Sequence, residues 1–334
     1  SIDPCFPSKV GIPHVHNLLY QKHKPKKPLD YILFPMVDSF PTWLENLLGS
    51  RACPTVTATP EAVHAAFTKE GNLFAEKGVI YKKTFLNMDD EPLCARQMYD
   101  DWGVELGLSP EEAERATAVG LKALANFYQA RRDEARAMLD TLERENRLGI
   151  VLLARPYHND PGINHEIMDE FQKLGYPIFT QDSLPIDADI MERLFGEEVA
   201  AGEMKSGFDI DDVWKNSYSE NTSRKVWAAK YVARHPNLVG LELSNFKCGH
   251  DAPIYTVVEE IVENSGTPFF YFKDIDENKP QGAIKIRVET IGYFLKRYRE
   301  DMIRQEKLRA KIDEDLAVLE EELRNPRQAV AVGE

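Results

Sequence analysis

Gly149-Ile150-Val151-Leu152-Leu153-Ala154 is a short apolar run that leads directly into the polar, proline- and glycine-rich stretch Arg155-Pro156-Tyr157-His158-Asn159-Asp160-Pro161-Gly162-Ile163-Asn164-His165. A run that is apolar on both faces is typical of a strand in a parallel sheet covered by helices on both sides. The polar stretch predicts a turn, and residues 163–174 predict the helix that follows it. Strand, turn and helix in this order indicate an α/β fold.

Four other apolar runs have the same character and predict further strands; they are 31–35, 177–180, 238–243 and 268–272. Helices are predicted between them. A long amphipathic region opens with the helix-start signal Ser109-Pro110 and ends near residue 147, and residues 255–264 predict a shorter helix. Ligand sites of such sheets lie beyond the carboxyl ends of the strands, so we expect the loops 155–165 and 244–251 to share that edge.

The length of 334 residues favours two domains. We predict a partial first α/β domain with a helical connection over residues 1–146, a second α/β domain over 147–298, and a charged helical tail over 299–334. The chain opens without a methionine and reaches Cys5 within five residues. It is therefore expected to be processed, or to be a piece of a longer polypeptide.

The composition is that of a soluble globular protein, with 43% hydrophobic and 29% charged residues. A formal net charge of −14 argues against nucleic acid as the main partner, because phosphate binding needs surfaces rich in lysine and arginine. There is no apolar run of membrane-spanning length and no leader-like N-terminus, so a cytoplasmic location is predicted. The four cysteines are too few for a secreted disulfide framework and are expected to be free thiols or ligands.

Three of the four cysteines share a loop-like context beside proline or glycine. They are Cys5, Cys53 and Cys248, and Cys248 also follows a predicted strand. Cys94 has no such context and is predicted to be an ordinary buried residue. Isolated cysteines so far apart are usually core residues, and there is no C-x-x-C pair of the zinc-ribbon or ferredoxin kind. Spacing alone therefore leaves both interpretations open.

Histidines near these loops are further candidates. His158 and His165 lie in the turn after the strand at 149–154, where they act either as ligands or proton donors, or simply cap the helix and hold the loop together. His14 and His16 follow Cys5 and either bind a metal or donate hydrogen bonds near the cysteine.

Arg287 is a third kind of candidate. It follows the acidic stretch 274–277, which lacks the glycine and terminal glutamate of a calcium-binding loop. Arg287 and Glu289 are more simply expected in an ion-paired turn that opens the last helix.

Five short motifs, in order, resemble those of the acyl-CoA dehydratase activase-related (reductase) branch of the 2-hydroxyacyl-CoA dehydratase and benzoyl-CoA reductase superfamily. They are Cys5-Phe6-Pro7-Ser8-Lys9 with His14-Val15-His16, the turn at 155–165, Leu174-Gly175-Tyr176-Pro177 with its continuation to Ser183, the cysteine motif at 243–252, and the turn at 274–287. The resemblance spans roughly residues 1–298.

The resemblance implies two Rossmann-like or flavodoxin-like domains, the first truncated at its N-terminus, that face a cleft. It implies a [4Fe–4S] cluster held by Cys5, Cys53 and Cys248 with one iron free of cysteine, or a double-cubane [8Fe–9S] centre as in some relatives. The surrounding contacts would come from His14, His16 and the backbone at Gly249.

The same resemblance implies an ATP-dependent, low-potential system of the oxidoreductase or (R)-2-hydroxyacyl-CoA dehydratase-like lyase kind. The sequence contains no P-loop, so ATP hydrolysis is expected from an activator protein or a fused ATPase module. Other expected partners are a second cluster-domain chain or the missing N-terminal half, and an acyl-CoA or small-molecule substrate. An electron-relay subunit and a non-catalytic scaffold are the alternatives.

Overall fold

The computed structural model of the chain describes residues 5–244, 248–273, 275 and 281–324, without the side chains of residues 6, 7, 281 and 322. Its helices are α1 (Phe6–Asn17), α2 (Pro54–Thr68), α3 (Leu73–Glu76), α4 (Glu91–Leu106), α5 (Pro110–Arg144), α6 (Ile167–Lys173), α7 (Ala188–Ala200), α8 (Glu220–Arg234), α9 (Tyr255–Asn264) and α10 (Gln281–Arg324). Its strands are β1 (Tyr31–Leu33), β2 (Met36–Ser39), β3 (Ile80–Lys82), β4 (Phe85–Asn87), β5 (Gly149–Leu153), β6 (Ile178–Thr180), β7 (Leu238–Leu243) and β8 (Phe269–Phe272).

The C-terminal sheet has four parallel strands in the order β6-β5-β7-β8. Every residue of β5 and β7 is buried. Val151 and Leu153 point into an apolar cluster with α5, α7, α8 and α9, whereas Ile150 and Leu152 point into a second cluster with α6 and α10. Side chains alternate between the two faces of a strand, so the uninterrupted apolar run is explained by helices on both sides.

The N-terminal part contains two short parallel pairs, β1 with β3 and β2 with β4. Its own apolar cluster joins α1, α2 and the loop before β3, through residues such as Val15, Val63 and Phe74. Leu33 and Ile80 on the first pair remain 53% and 44% exposed. In the second pair, β2 packs against α2.

The α/β fold with parallel strands and a long C-terminal helix is confirmed. The predicted strands at 149–154, 177–180, 238–243 and 268–272 agree with β5 to β8 within one residue. Ser109 accepts a hydrogen bond from the Glu112 N–H, and the Glu112 side chain accepts one from the Ser109 N–H, so a capping box starts α5 as the sequence indicates. The division into domains near residue 146 stays a prediction.

Three expectations need correction. The helix predicted from residue 163 begins at Ile167, because His165 and Glu166 have positive φ angles of 54° and 61° and end the preceding turn. Arg287 and Glu289 do not lie in a turn before the last helix but inside α10. The charged tail is helical, as expected, but it does not begin at residue 299, since it continues the same 44-residue helix.

The sequence interpretation also missed elements. The helices α1 to α4, α7 and α8 and the strands β2 to β4 were not predicted. α8 is buried along most of its length, including charged residues such as Lys225 and Lys230. Charged residues are seldom fully buried unless they are paired, so a segment with this many charges does not look like a buried helix when the sequence is read alone. No helix in the described part of the chain is both long and apolar enough to cross a membrane.

We predict that Leu139→Ala lowers the free energy of unfolding by about 2–5 kcal/mol, because the side chain is fully buried between α5 and the sheet. Val119→Ala on the same helix is the matched control, since Val119 is 69% exposed. It should change stability by less than about 0.5 kcal/mol. Urea unfolding of both variants measures the difference, and equal losses would contradict the packing of α5.

Candidate functional site

Three cysteines lie at or near the N-terminal ends of helices. Cys5 immediately precedes α1 and Cys53 immediately precedes α2, and each helix has proline in its first turn. Cys248 opens the turn before α9, where its carbonyl accepts hydrogen bonds from the N–H groups of Asp251 and Ala252. A helix N-terminus presents unpaired N–H groups and the positive end of the dipole, so it favours a thiolate over a thiol.

The structure brings these cysteines within electrostatic reach of one another. Burial, and then the neighbouring Cys53 and Cys248, raise the pKa of Cys5 against the opposing hydrogen bond from the Ser8 N–H. Cys94 stands apart: it is 4% exposed within α4, and burial together with Glu91 raises its pKa. Cys5, Cys53 and Cys248 therefore influence one another electrostatically, whereas Cys94 is influenced by Glu91.

Cys53 is the most acidic thiol for which a shift is resolved. Burial by itself raises its pKa, but a hydrogen bond from His250 and the N–H groups of Val56 and Thr55 outweigh burial and lower the pKa to about 7. His250 lies two residues after Cys248, so the turn of one cysteine contacts the thiol of another. The sequence interpretation did not assign this contact, because nothing in the sequence links residue 53 with residue 250.

Backbone hydrogen bonds carry Cys53 to this position. The Leu48 N–H donates to the Ser217 carbonyl and the Arg51 N–H to the Tyr218 carbonyl, at 2.8 and 2.7 Å. The Glu220 N–H returns a bond to the Arg51 carbonyl at 3.0 Å. The chain just before Cys53 is thereby fastened to the N-terminal end of α8, which packs against β5 and β7.

A buried network of charges lies beneath the cysteines at the carboxyl ends of β5 and β7. Arg155, which follows β5, donates from Nε to Asp251 Oδ1 at 2.8 Å. Lys225 Nζ of α8 lies 2.7 Å from Glu242 Oε1 of β7 and 3.4 Å from Asp251 Oδ1. None of the four side chains is more than 5% exposed. The two pairs therefore lie side by side away from water, where burial raises the pKa of Glu242 against the attraction of Lys225.

Hydroxyl groups complete the network around Asp251. Ser244 Oγ donates to Asp251 Oδ2 at 2.7 Å and lies 2.7 Å from the hydroxyl of Tyr255, while Arg155 Nη2 donates to Thr222 Oγ1 at 3.0 Å. Burial opposes the ionised form of Asp251, but Lys225 and Arg155 outweigh it and lower the pKa to about 2. The carboxylate thus holds the turn that begins at Cys248 against β5, β7 and α8.

The two histidines of the first loop, His158 and His165, lie in different surroundings. His158 is 2% exposed, and burial lowers its pKa to about 3, so the ring is neutral and lies within electrostatic reach of Asp251. Its carbonyl accepts a bond from Asn164 Nδ2 at 2.8 Å, which ties the loop together. His165 is half-buried in the turn before α6.

The other candidates lie in different surroundings. His14 and His16 are exposed in the last turn of α1, and nine residues of helix place His14 about 13 Å along the axis from Cys5. His14 is therefore too far along the helix to contact Cys5, and a role for His14 and His16 around the cysteines stays a prediction. Arg287 donates to the Tyr271 carbonyl at 2.8 Å and lies over the Phe272 ring at 4.1 Å, which is the environment of a packing residue.

Gly249 is exposed beside Cys248, with no atom within 4 Å of where a Cβ would stand. Residues 245–247 of the same motif, and 274 and 276–280 of the last one, lie outside the described residues. Within the described part of the chain, no group of three or more histidine, cysteine, aspartate or glutamate side chains is arranged to hold a single metal ion.

Residues 1–184 match the model of a protein family described as the CoA enzyme activase uncharacterised domain. The match covers more than half of the chain. The chain belongs to this family. Comparison with curated proteins and with solved structures found no match. Membership agrees with the resemblance to activase-related proteins of CoA enzymes, and the matched region includes Cys5, Cys53 and the loop that carries Arg155.

We predict that Arg155→Met lowers the free energy of unfolding by about 3–5 kcal/mol, because Asp251 stays buried but loses its ion pair with the Arg155 guanidinium. Arg304→Met removes an exposed ion pair to Asp301 and should cost less than about 1 kcal/mol. Chemical unfolding followed by circular dichroism compares the two. Similar small losses would mean that the buried pair does not hold the Cys248 turn.

Cys53 should react with iodoacetamide, in the iron-free protein, with a pH midpoint near its pKa of about 7. His250→Ala removes the hydrogen bond that lowers this pKa, so the midpoint should move upward. His16→Ala, at an exposed position on α1, is the control and should leave it unchanged. Peptide mapping by mass spectrometry follows the labelling of Cys53, and an unshifted midpoint in His250→Ala would contradict the contact.

Proposed function

We propose that the chain is the iron–sulfur component of an ATP-dependent, low-potential system that activates or reduces a CoA enzyme, with its cluster bound by Cys5, Cys53 and Cys248. The observation that carries the proposal is the mutual approach of three cysteines from distant parts of the sequence. Family membership supports a role in CoA-enzyme activation.

The donor set suits a cluster better than a single ion. Three thiols are soft ligands of the kind that bind iron–sulfur clusters, and a cluster is bulkier than one ion, so its ligands stand farther apart. Three thiolates within electrostatic reach repel one another unless protons or a cation neutralise them, and after burial this repulsion contributes to the raised pKa of Cys5. Bound iron would remove that repulsion.

The protein residues around the thiols have separable roles in this proposal. The N–H groups at the starts of α1 and α2 stabilise negative charge on Cys5 and Cys53, and His250 donates to Cys53. Asp251, held by Arg155 and Lys225, fixes the turn of Cys248. A cluster with three cysteine ligands would supply one-electron transfer and an iron position open to a further ligand.

ATP hydrolysis is assigned to a partner. The sequence carries no P-loop, so we propose an ATP-hydrolysing activator, on a separate protein or a fused segment, as the electron donor. The CoA enzyme or a second cluster-bearing chain is the proposed acceptor.

We expect Cys5→Ala, Cys53→Ala and Cys248→Ala each to lose most of the iron and sulfide bound after anoxic reconstitution, together with the broad visible absorbance of a cluster. Each variant removes one of only three protein ligands. Iron and sulfide per chain, determined anaerobically, measure the loss.

Cys94→Ala is the matched control, because Cys94 is buried in α4 away from the other thiols. It should bind as much iron as the unaltered chain. Iron bound equally by all four variants, or lost only in Cys94→Ala, would reject the assignment. Circular dichroism of each iron-free variant separates loss of a ligand from loss of the fold.

A further inference from the structure

A cleft of about 550 Å³ lies between the N-terminal loop at 40–43, α5 and the carboxyl edge of the C-terminal sheet. Its wall is largely apolar and includes Phe40, Leu121, Leu124 and Tyr128. No cysteine lines it among the residues that the structure describes. The size and lining are those of a small-molecule site.

Six polar atoms of residues that line the cleft are buried without a hydrogen-bond partner among the described residues. Glu220 Oε1 and Arg224 Nε face each other in an ion pair, which leaves four. Two are donors, Trp43 Nε1 and Arg132 Nε, and two are acceptors, Gln181 Oε1 and Asn221 Oδ1. Gln181 is only 4% exposed. Native proteins seldom leave such atoms unsatisfied, because each costs free energy when it is removed from water, so a bound molecule is the natural partner.

The charges around the cleft are balanced. Arg132 and Arg224 both lie over the Trp43 ring, at 4.5 and 4.3 Å from its centroid. Glu220 forms an ion pair with Arg224, and Asp182 interacts electrostatically with Arg132. Each arginine thus has an acidic neighbour, and burial raises the pKa of Glu220 against the attraction of Arg224. A ligand without net charge that carries both signs suits this lining.

The unsatisfied donors and the unsatisfied acceptors of the cleft belong to different residues. Burial, and then the repulsion by Arg224, lower the pKa of Arg132, so an anion beside it would be stabilised. α8 begins at Glu220 without a side-chain cap, and the positive end of its dipole adds to this preference. Gln181 Oε1 and Asn221 Oδ1, with Asp182 nearby, offer acceptors to a cationic N–H donor.

We propose that the cleft binds a zwitterionic α-amino acid with an apolar side chain. The carboxylate lies toward Arg132 and Trp43 Nε1, the ammonium group toward the oxygens of Gln181 and Asn221, and the side chain against the apolar wall. The site is separate from the proposed iron–sulfur function and needs no iron.

The test uses the complete, iron-free chain with L-phenylalanine and L-leucine as probes, by isothermal titration calorimetry and by tryptophan fluorescence. 3-Phenylpropionate lacks the ammonium group and phenethylamine lacks the carboxylate. At least one amino acid should bind saturably, and each of the two analogues should bind about tenfold or more weakly than L-phenylalanine, because each loses a charged hydrogen bond.

Two substitutions locate the binding. Gln181→Leu removes the buried acceptor and should weaken binding about tenfold. Gln172→Leu, at an exposed position on α6, is the matched control and should leave binding unchanged. The comparison of ligands on the unaltered chain does not depend on whether a variant folds.

Binding of neither amino acid at millimolar concentration would overturn the proposal. So would equal affinity for L-phenylalanine and both single-charge analogues, since the cleft would then be merely apolar. Equal losses in Gln181→Leu and Gln172→Leu would place the binding elsewhere.

Discussion

The buried ion pair between Arg155 and Asp251 is the interaction on which the site depends. Removing two charges from water is costly, and the cost is recovered only when geometry is good and the remaining hydrogen-bonding groups are satisfied. Here Lys225 and Glu242 add a second ion pair, Ser244 donates to Asp251, and Arg155 donates to the hydroxyl of Thr222. The network couples β5, β7, α8 and the turn of Cys248, so a shift in any of these elements would leave a buried charge unpaired.

That rigidity has a chemical consequence for the thiols. Cys248 is fixed from beneath by Asp251, whereas Cys53 is fixed from the side by backbone hydrogen bonds between its approach segment and the start of α8. His250 then joins the two by donating to the Cys53 thiol. The N-termini of α1 and α2 place N–H groups beside Cys5 and Cys53, which is a suitable environment for thiolate ligands.

The carboxyl edge of the C-terminal sheet serves two neighbouring purposes. Over β5 and β7 it carries the charge network and the cysteines, and over β5 and β6 it forms the floor of the apolar cleft. α8 contributes to both, since Lys225 enters the network while Glu220 and Arg224 face the cleft. This arrangement follows from parallel topology, which places every strand-to-helix loop on one side.

The sequence by itself determined the strands of the C-terminal sheet, the start of α5 and the separation of Cys94 from the other cysteines. These features are local: apolar runs, a capping signal, and proline or glycine beside a thiol act over a few residues. Only the tertiary structure decided that α8 is a buried helix and that His250 contacts the Cys53 thiol. It also decided that Arg287 is a residue of α10 and does not lie in a turn before it. Each of these depends on charges and hydrogen bonds between segments up to about two hundred residues apart, and such partners are fixed only when the chain has folded.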